Sequence, residues 1–358
     1  MPSLKEIKGR INSISSTLAI TSAMKMVASA KLQKAQMAIQ NMLPYERRLY
    51  SMLLDLMGAM NISAAASEDG SVRGSGSAER GFDQSGDRLS LSNRHDLAGM
   101  DGAYSLMAQR EVRKVAIVAF ASNSSLCGAF NSNVIREATA VINEYRASGL
   151  RDSDIVVYSV GRKMAEAMRK LGFPSPADFT KMSDSPSYEA ASALAQELLD
   201  GFVSGRFDKV ELVYNHYKST SSQPTTRQTY LPLSLADATA DLQAGKITDS
   251  ASETDTNRVA EPVGAPVVRQ GSPTTEDLIV EPSKEALIAT LLPKVVRLRI
   301  FTTLLDSAAA EHAARTVAMQ LATDNGNDLL QELTLEYNKG RQQKITSEIL
   351  DLVGGSMQ

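Results

Sequence analysis

The sequence predicts a chain of class α/β plus long helices: two terminal helices paired antiparallel, with an open α/β layer between them. Three observations predict it. No proline follows Pro293, and the run closes only near Gly354, leaving roughly sixty helical residues that span on the order of 90 Å. The first sixty residues place apolar side chains at alternating spacings of three and four, the signature of a two-stranded seam. Between these ends, short apolar runs alternate with helical stretches, as in an open α/β layer.

The N-terminal helix is expected over residues 1–60. Ser3 can cap it, with Glu6 three residues later completing a capping box. Its seam is Leu4, Ile7, Ile11, Ile14, Leu18, Thr21, Lys25, Ala28, Leu32, Ala35, Ile39 and Met42. Pro44 predicts a kink. Up to residue 48, eight basic residues face only Glu6 and Glu46; a solvated helix face and a partner-binding face explain that equally well. Residues 61–110 are rich in Gly, Ser and charge without a lasting period, and read as a flexible insertion. Its GSGS is no phosphate loop, because no strand precedes it and no GK[ST] follows.

Residues 111–235 read as a Rossmann-like open α/β domain. Strands are expected at Val112–Ala121, Asp154–Ser159, Lys209–His216 and Thr225–Leu233, with helices at about Ser132–Ser148, Arg162–Leu171 and Ser187–Ser204. Residues 236–281 form a polar, acidic insertion with a short extended piece at its end. The C-terminal helix follows over residues 282–358, with Ser283 as N-cap and Pro293 bending its first turns. Ala308, Ala309, Ala310, Ala313, Ala314, Ala318, Ala322 and Gly326 make it thin. A thin helix of that length must lean on another. The outward faces, basic on the first helix and small or hydroxylated on the second, are expected to be left for partners.

Chemistry is sparse. The loop Ser122–Asn131, at the carboxyl end of the first strand, holds Gly128 but no GxGxxG, so a nucleotide cofactor has no cradle there. Cys127 stands alone in the chain, which excludes a disulfide framework or dithiol switch, and it reads as a packed thiol. His95, His216 and His312 are scattered, without the spacing of a metal site. No catalytic residue, cofactor or metal is expected. A net charge of −3 gives no general argument for nucleic acid. No apolar run reaches the eighteen or so residues of a membrane span, so the chain is expected to be soluble. What remains is mechanical, and a static scaffold or adaptor with an α/β head fits that description as well as a moving part does. A small-molecule enzyme is disfavoured by the empty strand-end loops.

The segments KEIKGRINSISSTLAITSAMKMVASAKLQKAQ and AAEHAARTVAMQLATDNGNDLLQELTLEYNKGRQQKITSEILDLVGG resemble the two ends of the gamma subunit of F-type ATP synthase. SSLCGAFNSNV resembles that family's loop after the first strand, FDKVELVYNHYKS a later strand, and DLIVEPSKEALIATLLPKVV the entry to its final helix. The matches occur in order across residues 1–60, 111–235 and 276–358. Two departures stand out. SNSSLCGAF lacks the charged pair and one glycine of the family's SDRGLCGG pattern, and both insertions exceed those of the commonest bacterial members.

The resemblance implies a rotor shaft that is not itself catalytic. Its partners would be three alpha and three beta subunits, the epsilon subunit and the c ring of an ion-translocating complex. Its place would be peripheral, on the cytoplasmic face of a bacterial inner membrane. Met24 and Lys25 fall in the family's TxAMxMV segment, which faces the beta-subunit lever. Arg315, Gln320, Thr323 and Asp324 fall in the matching C-terminal segment as shaft-to-ring contacts. Glu281, within VEP, matches a foot loop that approaches the c ring.

Overall fold

The computed structural model describes residues 3–58, 106–233 and 284–356. Both expected insertions lie almost wholly outside the described residues, as do Ser283 and Glu281.

Helix α1 spans Leu4–Gly58 and helix α6 spans Lys284–Ser356, 55 and 73 residues long. The Ser3 hydroxyl accepts from the Glu6 N–H at 3.3 Å, the expected cap. Every seam position from Leu4 to Met42 is buried or half-buried, with Ile7, Ala28 and Leu32 the deepest. The helices run antiparallel: Leu4 lies against Gly340, Leu18 against Gly326, Thr21 against Thr323, and Tyr50 against Arg299. A kink was expected at Pro44 and a bend at Pro293, and the helical hydrogen-bonded run continues through both. An interior proline costs about 3 kcal/mol. Buried neighbours, Leu49 and Leu53 after Pro44 and Leu292 and Val295 on either side of Pro293, offset that cost.

Between them lie β1 (Val115–Phe120), α2 (Phe130–Ala147), β2 (Ile155–Val160), α3 (Arg162–Lys170), α4 (Thr180–Asp184), α5 (Tyr188–Val203), β3 (Lys209–Asn215) and β4 (Thr225–Leu231). The sheet order is β2-β1-β3-β4. β1 is parallel to β2 and β3, and β4 closes the edge antiparallel to β3. Gly161, between β2 and α3, has φ +96°, and a Cβ there would sit 2.0 Å from the Ala121 carbonyl oxygen, so only glycine fits.

Alternation along β1 sorts the core into two layers. Val115, Ile117 and Ala119 face Val134, Val141 and Ile142 of α2 and Met164 and Met168 of α3. Ala116, Val118 and Phe120 face the other way, into a cluster that includes Leu198 and Phe202 of α5, Leu53 of α1 and Val296 and Ile300 of α6. The base of the coiled coil is thus one wall of the head's core. Leu106 also belongs to that core, and its carbonyl accepts from the Leu233 N–H.

Candidate partner-contact surface

Beyond the Leu4–Gly340 contact, α6 continues to Ser356 past the start of α1. This end carries Ile345, Ile349, Leu350, Leu352 and Val353, with Leu352 74% exposed. Lower down, Ile20, Met24, Met26 and Val27 of α1 and Leu321 and Leu329 of α6 are exposed too. So much apolar side chain on solvent is unusual for a finished surface and marks a contact region.

The structure brings five of the seven sequence-derived contact residues to one height. Thr323 Oγ1 lies 3.2 Å from Thr21 Oγ1 and donates to the Met319 carbonyl at 2.8 Å. Met24 is one turn along α1 from Thr21, and Gln320 is nearly one turn back along α6 from Thr323. Met24 is 40% exposed, whereas Lys25 is half-buried in the seam. Gln320 Nε2 donates to both carboxylate oxygens of exposed Asp324, at 2.7 and 2.9 Å. Arg315 is turned elsewhere: it pairs with Glu311 at 2.8 Å and donates to Ser124 Oγ of the head at 2.7 Å. Glu281 lies outside the described residues.

The alanines of α6 from Ala308 to Ala314 lean on another helix, as their thinness predicts, and on the head as well, so they do not supply the small outward face expected for partners; Ala322, further along, is exposed. Ala309 and Ala313 pack with Leu32 of α1. Ala310 and Ala314 pack with Cys127 and Phe130, and Gly128 comes close to Ala318. Two neighbours close on the helix from different sides, and small alanine side chains leave room for both. Cys127 is 1% exposed there. Beside this section, burial pushes the His312 imidazole down to about 4, helped by nearby Arg315 and Lys31. Burial raises the Glu311 carboxyl, with Arg315 opposing.

Two side-chain groups escaped the sequence reading. One centres on Glu211, 1% exposed in the middle of β3. It accepts from Tyr145 Oη at 2.6 Å and Arg227 Nε at 2.7 Å, and pairs with Lys209 at 2.7 Å; Arg227 also pairs with Glu144. Burial would raise the Glu211 carboxyl, but hydrogen bonds from Arg227, Lys209 and Tyr145 outweigh it and hold it below its ordinary range. A glutamate inside the apolar run KVELVYN was the available signal. The second joins His216 and Tyr217, just after β3, to Asp306 of α6 and Gln36 of α1. It had no signal, because its members are far apart in the chain.

Among known proteins, the ATP synthase family model matches residues 3–357. The chain is 47% identical over 357 residues to the ATP synthase gamma chain of Phocaeicola vulgatus and 45% identical over 358 to that of Bacteroides thetaiotaomicron, covering all of both chains in each case. The chain belongs to the ATP synthase gamma-chain family. Its part is therefore that of a non-catalytic subunit of an ATP synthase. The fold agrees: the rotor of the Euglena gracilis mitochondrial ATP synthase matches with TM-score 0.52 at 18% identity, over 96% of this chain and 98% of that one. Among the described residues no helix is long and apolar enough to cross a membrane.

Proposed function

We propose that the chain is the rotating central shaft of a bacterial ATP synthase, turned by ion flow through a c ring and passing that motion to the nucleotide sites of three beta subunits. The observation that carries this reading is the α6 tip, which outruns its partner helix while presenting isoleucine, leucine and valine to solvent. A static coiled coil has no use for such a tip, whereas a shaft does inside a sleeve of alternating alpha and beta subunits.

The mechanism follows from asymmetry. A partner shifts a conformational equilibrium only as far as it contacts the two states differently. At the height of Met24 and Gln320 the coiled coil presents exposed Ile20, Met24 and Leu321 together with polar Gln320 and Asp324, an uneven surface that would meet each beta subunit differently as the shaft turns. Met24, Lys25, Gln320, Thr323 and Asp324 are the proposed contacts at this height. Arg315 serves through its hold on Ser124 and is a contact only if it exchanges that hold for a partner's carboxylate. Glu281 is proposed for the foot toward the c ring.

The proposed division of labour has residues 1–60 and 282–358 as shaft and 111–235 as the head that receives torque, with epsilon docked beside it. Residues 61–110 and 236–281 are insertions, the latter ending in the foot. The proposed location is the cytoplasmic face of the inner membrane, held there through the complex. Purified alpha and beta subunits assembled with and without the chain test the reading: ATP hydrolysis should rise on the order of tenfold or more with the chain present. No stable complex, or equal hydrolysis, would return the chain to a static scaffold.

A further inference from the structure

Past Asn215 the chain leaves the sheet and crosses the coiled coil, where Asp306 meets it with both carboxylate oxygens. His216 Nδ1 lies 2.6 Å from one, and the Tyr217 N–H donates to the other at 2.9 Å. The Tyr217 hydroxyl accepts from Gln36 Nε2 at 2.5 Å. The Tyr217 side chain also packs on both alanine-lined clusters, the one with Leu32 and the one with Cys127. One dipeptide of the head therefore holds both helices of the shaft.

We propose that His216 and Tyr217 form a latch on Asp306 and Gln36 that carries torque between the α/β head and the coiled coil. His216 and Asp306 are then positioning residues for coupled turnover. The inference rests on the rotor reading above. Its physical basis is directionality. The shared apolar core below the latch resists separation of head and shaft, but apolar contact has no preferred direction and tolerates sliding. A carboxylate held at two points by charge-assisted hydrogen bonds does not. Because the dipeptide touches α1 and α6 together, a twist applied to the head loads both helices instead of shearing one past the other.

Charge makes the latch pH-sensitive. Besides Asp306, His216 has Lys218 on its own loop, while Glu46 and Arg47 of α1 and Arg299 of α6 line the cleft beside it. The hydrogen bond to Asp306 outweighs burial and Lys218, raising the imidazole above its ordinary 6.5. A raised value means the ion pair is fully present below pH 6.5 and weakens as pH rises through the raised value.

The test uses the complete ATP synthase in inverted membrane vesicles, reading ATP hydrolysis and ATP-driven ion uptake together while the outside pH is varied. Asp306→Asn and His216→Gln should leave hydrolysis within about twofold but lower ion uptake per ATP by about tenfold or more, the scale expected for losing a hydrogen bond to a charged group. His216→Arg keeps its charge at every pH and can pair bidentately, so it should abolish the decline in coupling that the unaltered complex shows toward alkaline pH. The latch is overturned if Asp306→Asn and His216→Gln keep the normal uptake per ATP, if hydrolysis and uptake fall in parallel, or if His216→Arg follows the unaltered pH profile. Failure of the unaltered chain to stimulate hydrolysis by alpha and beta subunits would instead remove the rotor reading itself.

Discussion

Leu18 of α1 fills the space that a side chain would need at Gly326 of α6: a Cβ built there would lie 2.7 Å from Leu18 Cδ2 and 3.1 Å from Cγ. Glycine inside a helix costs about 1 kcal/mol relative to alanine, and the close approach of the two helices offsets it. Gly326→Leu should therefore destabilise the coiled coil by about 1–3 kcal/mol, read as a lower midpoint in thermal unfolding followed by helical circular dichroism. Adding Leu18→Ala should recover part of the loss, because the two residues share one space. Additive losses would show that the clash is absent.

The glutamate buried in β3 is held by Arg227, Lys209 and Tyr145. Arg227→Ala leaves that charge to Lys209 and Tyr145 alone and should cost about 1.5–3 kcal/mol in urea unfolding at neutral pH, more than Glu211→Gln, which removes the charge itself. The sign with pH is determined. Because Glu211 is held below its ordinary 4.5, its contribution is present above that value and lost as pH falls through the lowered one. Glu211→Gln should flatten that acid loss.

Burial gives His312 the opposite charge preference. Its value of about 4 lies below the ordinary 6.5, so the neutral ring favours folding above 6.5 and the advantage disappears as pH drops toward 4. His312→Gln should lessen the loss of stability between pH 6.5 and 4 by about 2 kcal/mol. An unchanged acid profile would mean that His312 is solvated.

Cys127, packed against Phe130 and Ala310, should resist a thiol reagent in the folded chain and react fully in denaturant. Reaction at a free-cysteine rate without denaturant would contradict the packing of the Ser122–Asn131 loop on α6.

How much of this was legible depended on distance along the chain. The seam from Leu4 to Met42 could be read because heptad spacing is local, and each of its residues turns inward. The four strands were legible for the same reason, within a residue or a few at each end. The antiparallel pairing followed from two long helices at opposite ends. What escaped depends on register between distant segments. The alanines of α6 were legible as a face that leans on another helix, but nothing near them names Cys127 and Phe130 of the head as their second neighbours. Arg315 was assigned to the ring by the family resemblance, and its contact with Ser124 of the head was hidden because the two are 191 residues apart. Gly326 looked merely small until Leu18 stood against it. Of the contact residues drawn from the family resemblance, Met24, Lys25, Gln320, Thr323 and Asp324 share one height, which the motifs alone did not imply.

The central claim is that this coiled coil turns inside a ring of beta subunits, and Met24 gives the most direct measurement. The chain's one natural thiol is buried, so Met24→Cys places a single accessible cysteine on the shaft, to be paired with a cysteine in the facing segment of beta. Oxidation to the disulfide should stop ATP hydrolysis by the assembled complex, and reduction should restore it. Continued turnover with the shaft covalently bound to beta would contradict rotation.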